Sequence, residues 1–305
     1  MASPLPKPNQ PLLDVLGVSG VTLSEMNAML TDGAQEAERL IPKLLEKHTT
    51  GGKVKAAQLA LVHRELKVAQ SALWGDLGRA TREGVEEGYL KAGDGPNDVL
   101  LSVFKKAGAN PAPFLAAWQQ QAKQGIDAVL AKSKNGIPLS RAVYKTQAWA
   151  SGLVNRKVSQ GLLLGMNAKA IAKSVKDLIN PNVAGGVSYA AHRLARTEIN
   201  HAYQTSQAER YADEPWTRGM RWNLSGSHPK PDICNELAVR DKYDLGPGVY
   251  PVGQRPDSHP NCMCYQTPEQ LGEEDFIENF LKGDYNSYLD EKVYTHAPPG
   301  ELLCP

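Results

Sequence analysis

The sequence predicts a mainly α-helical α+β fold, with a helical N-terminal region followed by a small α+β domain that contains a loop-rich Cys/His segment. Three observations predict it. Apolar residues recur at three- and four-residue steps from Leu59 to Ala80, a period-two alternation appears at residues 218–224, and Pro and Gly then crowd residues 225–265 with little periodicity. Hydrophobic residues are 41% and charged residues 22% of the chain, a balance that argues against a fibrous or wholly disordered protein.

The first twenty residues hold Pro4, Pro6, Pro8 and Pro11, so residues 1–20 read as an extended arm. A helical region, residues 21–180, follows. Its first helix is expected from about residue 22 to Lys47, capped by Thr22 or Ser24 and closed by Gly51 and Gly52. A second is expected over residues 53–91, where Leu59, Val62, Leu66, Ala69, Leu73, Leu77 and Ala80 form one stripe that must pack on another helix. Gly95 and Pro96 interrupt it, and two helices are expected near 97–107 and 112–134. Pro138 opens a helix to Leu164, Gly165 takes the left-handed position after it, and Asn167 caps a short helix ending at Ile179.

Residues 181–268 form the second domain and residues 269–305 an acidic tail. The domain opens with a helix from about Ser188 to Asp213. Ala191, Ala195, Ile199, Ala202 and Ser206 make a narrow face of small residues on it, suited to close packing. Glu198 lies about 60° from the centre of that face by helical geometry. A carboxylate there needs a cation or backbone donors, so Glu198, Arg196 and Arg221 are expected as a structural ion-pair group, with Arg218 the alternative donor.

Composition also bounds the functional classes. No run approaches the roughly 18 apolar residues of a membrane span, so no membrane partner is expected. The N-terminal segment lacks a basic stretch leading into an apolar one, which makes a secretory leader unexpected and the cytoplasm the expected site of synthesis. Residues 101–200 carry 14 Lys or Arg against 3 Asp or Glu, whereas residues 251–305 carry 3 against 10. Such asymmetry is that of an ordinary solvated face or of a surface for non-specific contact with DNA phosphates. There is no P-loop, dinucleotide glycine fingerprint, HExxH or nucleophile elbow, and an enzyme is not expected.

The densest chemistry lies at His228-Pro-Lys-Pro-Asp-Ile-Cys234 and His259-Pro-Asn-Cys262-Met-Cys264. Tetrahedral zinc takes thiolate sulfur and imidazole nitrogen from two local pairs joined by a loop. Five candidate ligands, Cys234, His259, Cys262, Cys264 and His228, compete for four places, the first four being the favoured set with His228 able to replace one of them. The spacing is not that of a standard finger, and in a strand the one-residue gap between Cys262 and Cys264 would hold their side chains apart. The alternatives are buried thiols and hydrogen-bonded imidazoles that only shape the loop, or a Cys234–Cys262 disulfide under oxidising conditions.

Taken in order, the helical run 138–179, the Ala195-Arg-Thr-Glu198 helix, the strand around Trp222, Asp232-Ile-Cys234 and the closing His-Pro-Asn-Cys-Met-Cys at 259–264 resemble the phage Mu F-like minor head protein family over about residues 138–267. Many members carry Cys-x-x-Cys where this chain has Pro231-Asp-Ile-Cys234, so His228 would stand in for the missing cysteine. The resemblance implies a minor head (head morphogenesis) protein of a tailed phage. It would sit in the virion inside the head near the portal protein, assisting head assembly, DNA packaging or DNA delivery. Its implied partners are the portal, the major capsid or scaffold protein, and DNA, with an oligomeric state set by the portal. Related head-protein domains occur fused to toxins; in an effector-type or nucleotide-transferring enzyme, Arg196, Glu198 and His201 would be the catalytic residues.

Overall fold

The computed structural model describes residues 10–49, 54–92, 101–102, 105–106, 108, 110–226, 228 and 231–293. Its fold is the mainly helical α+β arrangement that the periodicity predicts. Among the described residues six helices of twelve residues or more precede a small sheet: α1 (Gln10–Lys47), α2 (Ala56–Lys91), α3 (Ala112–Ala131), α4 (Leu139–Leu163), α5 (Ala168–Ile179) and α6 (Gly186–Tyr211). Then come β1 (Thr217–Asn223), α7 (Ile233–Val239), β2 (Val249–Tyr250), β3 (Tyr265–Gln270) and α8 (Glu273–Lys282). Among the described residues no helix is long and apolar enough to cross a membrane.

Two compact units share this chain, and they do not divide at residue 180. One comprises residues 19–84 and 132–198; the other comprises residues up to 18, 85–131 and from 199 onward. Boundaries fall within α1, α2 and α6, each a helix that runs on from one unit into the other.

The first unit is a helix bundle. The expected stripe of α2 packs against α1 and the later helices: Val62, Leu66, Leu77 and Ala80 are buried, with Leu59 and Leu73 at the edge. Met26, Leu30 and Ile41 of α1, Val154 and Val158 of α4, Ile171 and Val175 of α5, and Ala191 and Ala195 of α6 complete one core. The punctuation between α4 and α5 falls where the sequence puts it. Gly165 has φ +69°, and the Asn167 side chain accepts the Ala170 N–H at 2.8 Å.

The second unit is built on a three-stranded antiparallel sheet in the order β2-β1-β3. Met220 opposes Tyr250 and Trp222 opposes Gln266. One apolar cluster surrounds Trp216, which meets Phe276 and Tyr285 edge-on at ring-centroid distances of 5.3 Å. A second cluster, Trp222, Leu237, Tyr250 and three cysteines, lies beside α7.

Two expectations for the ends of the chain are corrected. Residues 10–20 are helical, not an extended arm: Pro11 sits in the first turn of α1, where no N–H is needed, so it starts the helix instead of breaking it. The rest of the expected arm, with Pro4, Pro6 and Pro8, lies outside the described residues. The acidic tail is in part core. Glu273, Glu274 and Asp275 occupy the first turn of α8, where the helix dipole favours anions, while Phe276 is buried against Trp216. Residues 294–305, including Cys304, lie outside the described residues, as does most of the helix expected near 97–107.

Candidate metal centre

The site begins at the N-terminus of α7. The Asp232 carboxylate accepts the Cys234 N–H at 2.7 Å, and Asn235 Oδ1 accepts the Asp232 N–H at 2.9 Å. This reciprocal capping box fixes Cys234 in the first turn of the helix. The same Asn235 oxygen lies 2.9 Å from His228 Nε2. An acceptor there requires Nε2 to donate, so a neutral His228 ring carries its lone pair on Nδ1.

The second half of the site is the segment before β3. Residues 261–264 are not a strand, which removes the objection to their one-residue gap. The Cys262 N–H donates to the His259 carbonyl, and Asn261 adopts φ +63°, a conformation that Asn tolerates better than most residues. The turn brings the Cys264 N–H to 3.4 Å from Cys262 Sγ. Cys234, Cys262 and Cys264 are buried, and their three sulfurs lie within 4.8 Å of one another. Cys234 Sγ is 3.6 Å from Cys262 Sγ, and His228 Nδ1 is 3.7 Å from Cys264 Sγ.

Hydrogen bonding polarises the thiols. The Cys262 thiol, donating to Cys264, holds Cys264 down to about 6 against the opposing effect of burial, while burial lifts Cys234 to about 12. Cys262, the donor of the pair, is driven upward by the same bond. Cys264 is therefore the thiol of the set that ionises most readily.

His259 stands on the outer side. Its Nδ1 lies 3.0 Å from the Pro260 carbonyl, an acceptor, so Nδ1 donates and Nε2 is bare in the neutral ring. Nε2 is 3.2 Å from Asp232 Oδ2 without the alignment of a hydrogen bond. One ligand atom each from Asp232, Cys234 and His259 also lies within 4.8 Å of the others. The five sequence-predicted ligands thus lie in one neighbourhood: the three buried thiols form one group, His259 joins Cys234 and Asp232 in another, and His228 lies against Cys264, so the Cys/His cluster could hold a metal ion.

Two residues of the site escaped the sequence reading. Asn200 Nδ2 donates to the Cys262 and Cys264 carbonyls at 2.8 and 3.3 Å, and Gln204 Nε2 donates to the Cys264 carbonyl at 3.1 Å. Both are buried amides one helical turn apart on α6. Their signal was present in the sequence: amides sharing a helix with the buried small-residue stripe need acceptors.

The ion-pair group is a correction. Glu198 is buried, but its Oε2 accepts the Lys134 backbone N–H at 2.9 Å rather than an arginine, and burial raises its pKa. Its Oε1 is buried without a hydrogen bond. Arg221 instead pairs with Glu269 at 2.8 Å across β1 and β3, and Arg196 acts on His192, whose pKa is lowered by burial and then by that charge. Arg218 is exposed, and His201 is half-buried. A backbone donor costs less to bury than a second charge, so a loop N–H satisfies the carboxylate.

The basic stretch is solvated. Arg141, Lys145, Arg156, Lys157, Lys169 and Lys173 are exposed on α4 and α5. Comparison of the chain with known protein families, curated protein sequences and solved structures finds no match.

Proposed function

We propose that this chain is a structural protein whose second unit is a module stapled by zinc, and that it serves as a minor head component of a tailed phage, binding the portal and assisting head assembly or DNA delivery. The observation that carries the proposal is a group of three buried thiols, one of them against the His228 imidazole, in a segment of few apolar residues, tied by Asn200 and Gln204 to the helix that carries the Arg-Thr-Glu motif.

Zinc fits the donor set. In a tetrahedral site with Zn–S of about 2.3 Å and Zn–N of about 2.0 Å, neighbouring sulfurs lie about 3.8 Å apart and a sulfur and a nitrogen about 3.5 Å apart. The Cys234–Cys262 and Cys264–His228 separations of 3.6 and 3.7 Å are of this size, and the His228 ring would close further on the other two sulfurs to complete the shell. His228 is the fourth ligand, ahead of His259, because its side chain is 12% exposed against 33% and its ring is held by Asn235. Four protein ligands close the coordination shell, which suits a structural ion and leaves no position for substrate. When bound, the ion supplies folding free energy to a unit whose loop has little core of its own.

The virion role rests on the order of motifs: the helical run, the Arg-Thr-Glu helix, the tryptophan strand and the closing His-Pro-Asn-Cys-Met-Cys. The exposed bases of α4 and α5 suit non-specific, salt-sensitive DNA contact. Co-expression of the full chain with the portal protein encoded beside it tests the role. Co-purification is expected; two folded proteins that do not associate contradict it.

A further inference from the structure

We infer that Asp232 and His259, with Cys234, form a second and open cation site through which the metal enters and leaves the buried one. The inference rests on the zinc reading above and extends it to how the ion is exchanged. Four observations carry it. The ligand atoms of Asp232, Cys234 and His259 lie within 4.8 Å of one another, the same span as the three thiols, and Cys234 belongs to both groups. His259 Nε2 and Asp232 Oδ2 face each other at 3.2 Å as an ion pair without an aligned hydrogen bond, and Nε2 has no other hydrogen-bond partner. A bare nitrogen opposite a carboxylate oxygen is the arrangement that a cation between them would satisfy. Asp232 and His259 are 39% and 33% exposed, so this group opens to solvent, whereas the thiols do not.

Because Cys234 is common to both groups, a single ion that uses both would occupy them in sequence. A hydrated divalent ion is first taken by the Asp232 carboxylate and the His259 imidazole. It would then gain Cys234 and pass inward as Cys262, Cys264 and His228 replace the outer ligands, each thiol releasing its proton to solvent as its sulfur binds. Release runs the same steps in reverse. His259 and Asp232 are therefore positioning residues for transfer and are absent from the final shell.

The test uses the full-length chain purified with its zinc. The rate of zinc transfer to excess chelating dye and the free-zinc concentration at half-saturation, set by a chelator buffer, are measured for the parent, His259→Gln and Asp232→Asn. Asn keeps a cap acceptor for the Cys234 N–H. Removing a transfer station slows loading and release together, so release is expected to slow severalfold in both variants with half-saturation unchanged. Faster release with weaker half-saturation would make His259 a resident ligand and overturn the inference. Unchanged release would overturn it as well. Absence of zinc from the parent chain would instead defeat the zinc reading on which it stands.

Discussion

The amide of Asn200 donates to the carbonyl oxygen of Cys262 at 2.8 Å, so a helix fixed more than sixty positions upstream holds the backbone of the cysteine turn. Asn200 also reaches the Cys264 carbonyl, and Gln204 shares that acceptor while donating to Asn200 Oδ1 at 3.2 Å. Asn200→Ala strips a buried carbonyl of its donor, and the expected loss is about 1–3 kcal/mol. Asn200→Asp, which turns an acceptor toward two carbonyl oxygens, is expected to lose more. Urea unfolding of the three proteins checks the order; a variant pair equal to the parent contradicts it.

Glu214 gives the fold a pH dependence. Its buried carboxyl is pushed up to about 7 from an ordinary 4.5, by burial foremost and against the opposing charge of Arg210, and Thr217 Oγ1 donates to it at 3.1 Å. The folded chain therefore keeps this proton up to about pH 7, whereas the unfolded chain releases it near 4.5. Between those values the folded state binds more protons, so stability falls as pH rises through the window. Glu214→Gln removes that fall. The variant is expected to match or trail the parent at pH 4.5 and to gain on it steadily toward pH 8; urea midpoints across the range would show the opposite trend if the carboxyl folds ionised.

Gly248 combines φ +72° with a backbone neighbour: a Cβ there would lie 2.5 Å from the Ala238 carbonyl oxygen. Its own carbonyl accepts the Trp222 N–H, so the position joins α7, β1 and β2. Gly248→Ala adds left-handed strain and a contact that only backbone movement relieves, for an expected loss of about 2 kcal/mol or more. Thermal unfolding monitored by tryptophan fluorescence reports it; an unshifted midpoint contradicts the geometry.

How much of this was legible in the sequence depends on the range of the interaction. The α2 stripe, the Gly165 and Asn167 punctuation and β1 were readable because a 3.6- or 2-residue period and a cap are local properties. The start of α1 was misread because four prolines in eleven residues outweighed the tolerance of Pro11 in a first turn. The ligand types of the cysteine cluster were visible, but their order was not. What ranks His228 ahead of His259 is the Asn235 side chain, a tertiary contact with no sequence period. Glu198 failed in the same way, since its partner is a backbone N–H that any residue at position 134 could offer.

Cys262→Ser tests the thiol set without touching the helical unit. Loss of a structural zinc ligand forfeits folding free energy on the order of 10 kcal/mol in small zinc modules, whereas a poorly matched buried hydroxyl alone costs about 1–3 kcal/mol. Cys304→Ser, outside the cluster in sequence, is expected to leave unfolding unchanged. The comparison is read by chelator-dependent melting: the parent and Cys304→Ser should lose stability in chelator, and Cys262→Ser should be insensitive to it.

Elemental analysis of the full chain, purified without a histidine tag, tests the zinc staple most directly. The account predicts one zinc per chain and a melting temperature that falls in excess chelator, because a metal bound only by the folded state must enter the folding equilibrium. Less than about a tenth of a zinc per chain, with an unchanged melting curve in chelator, would contradict it and leave Cys234, Cys262, Cys264 and His228 as a packed loop and nothing more.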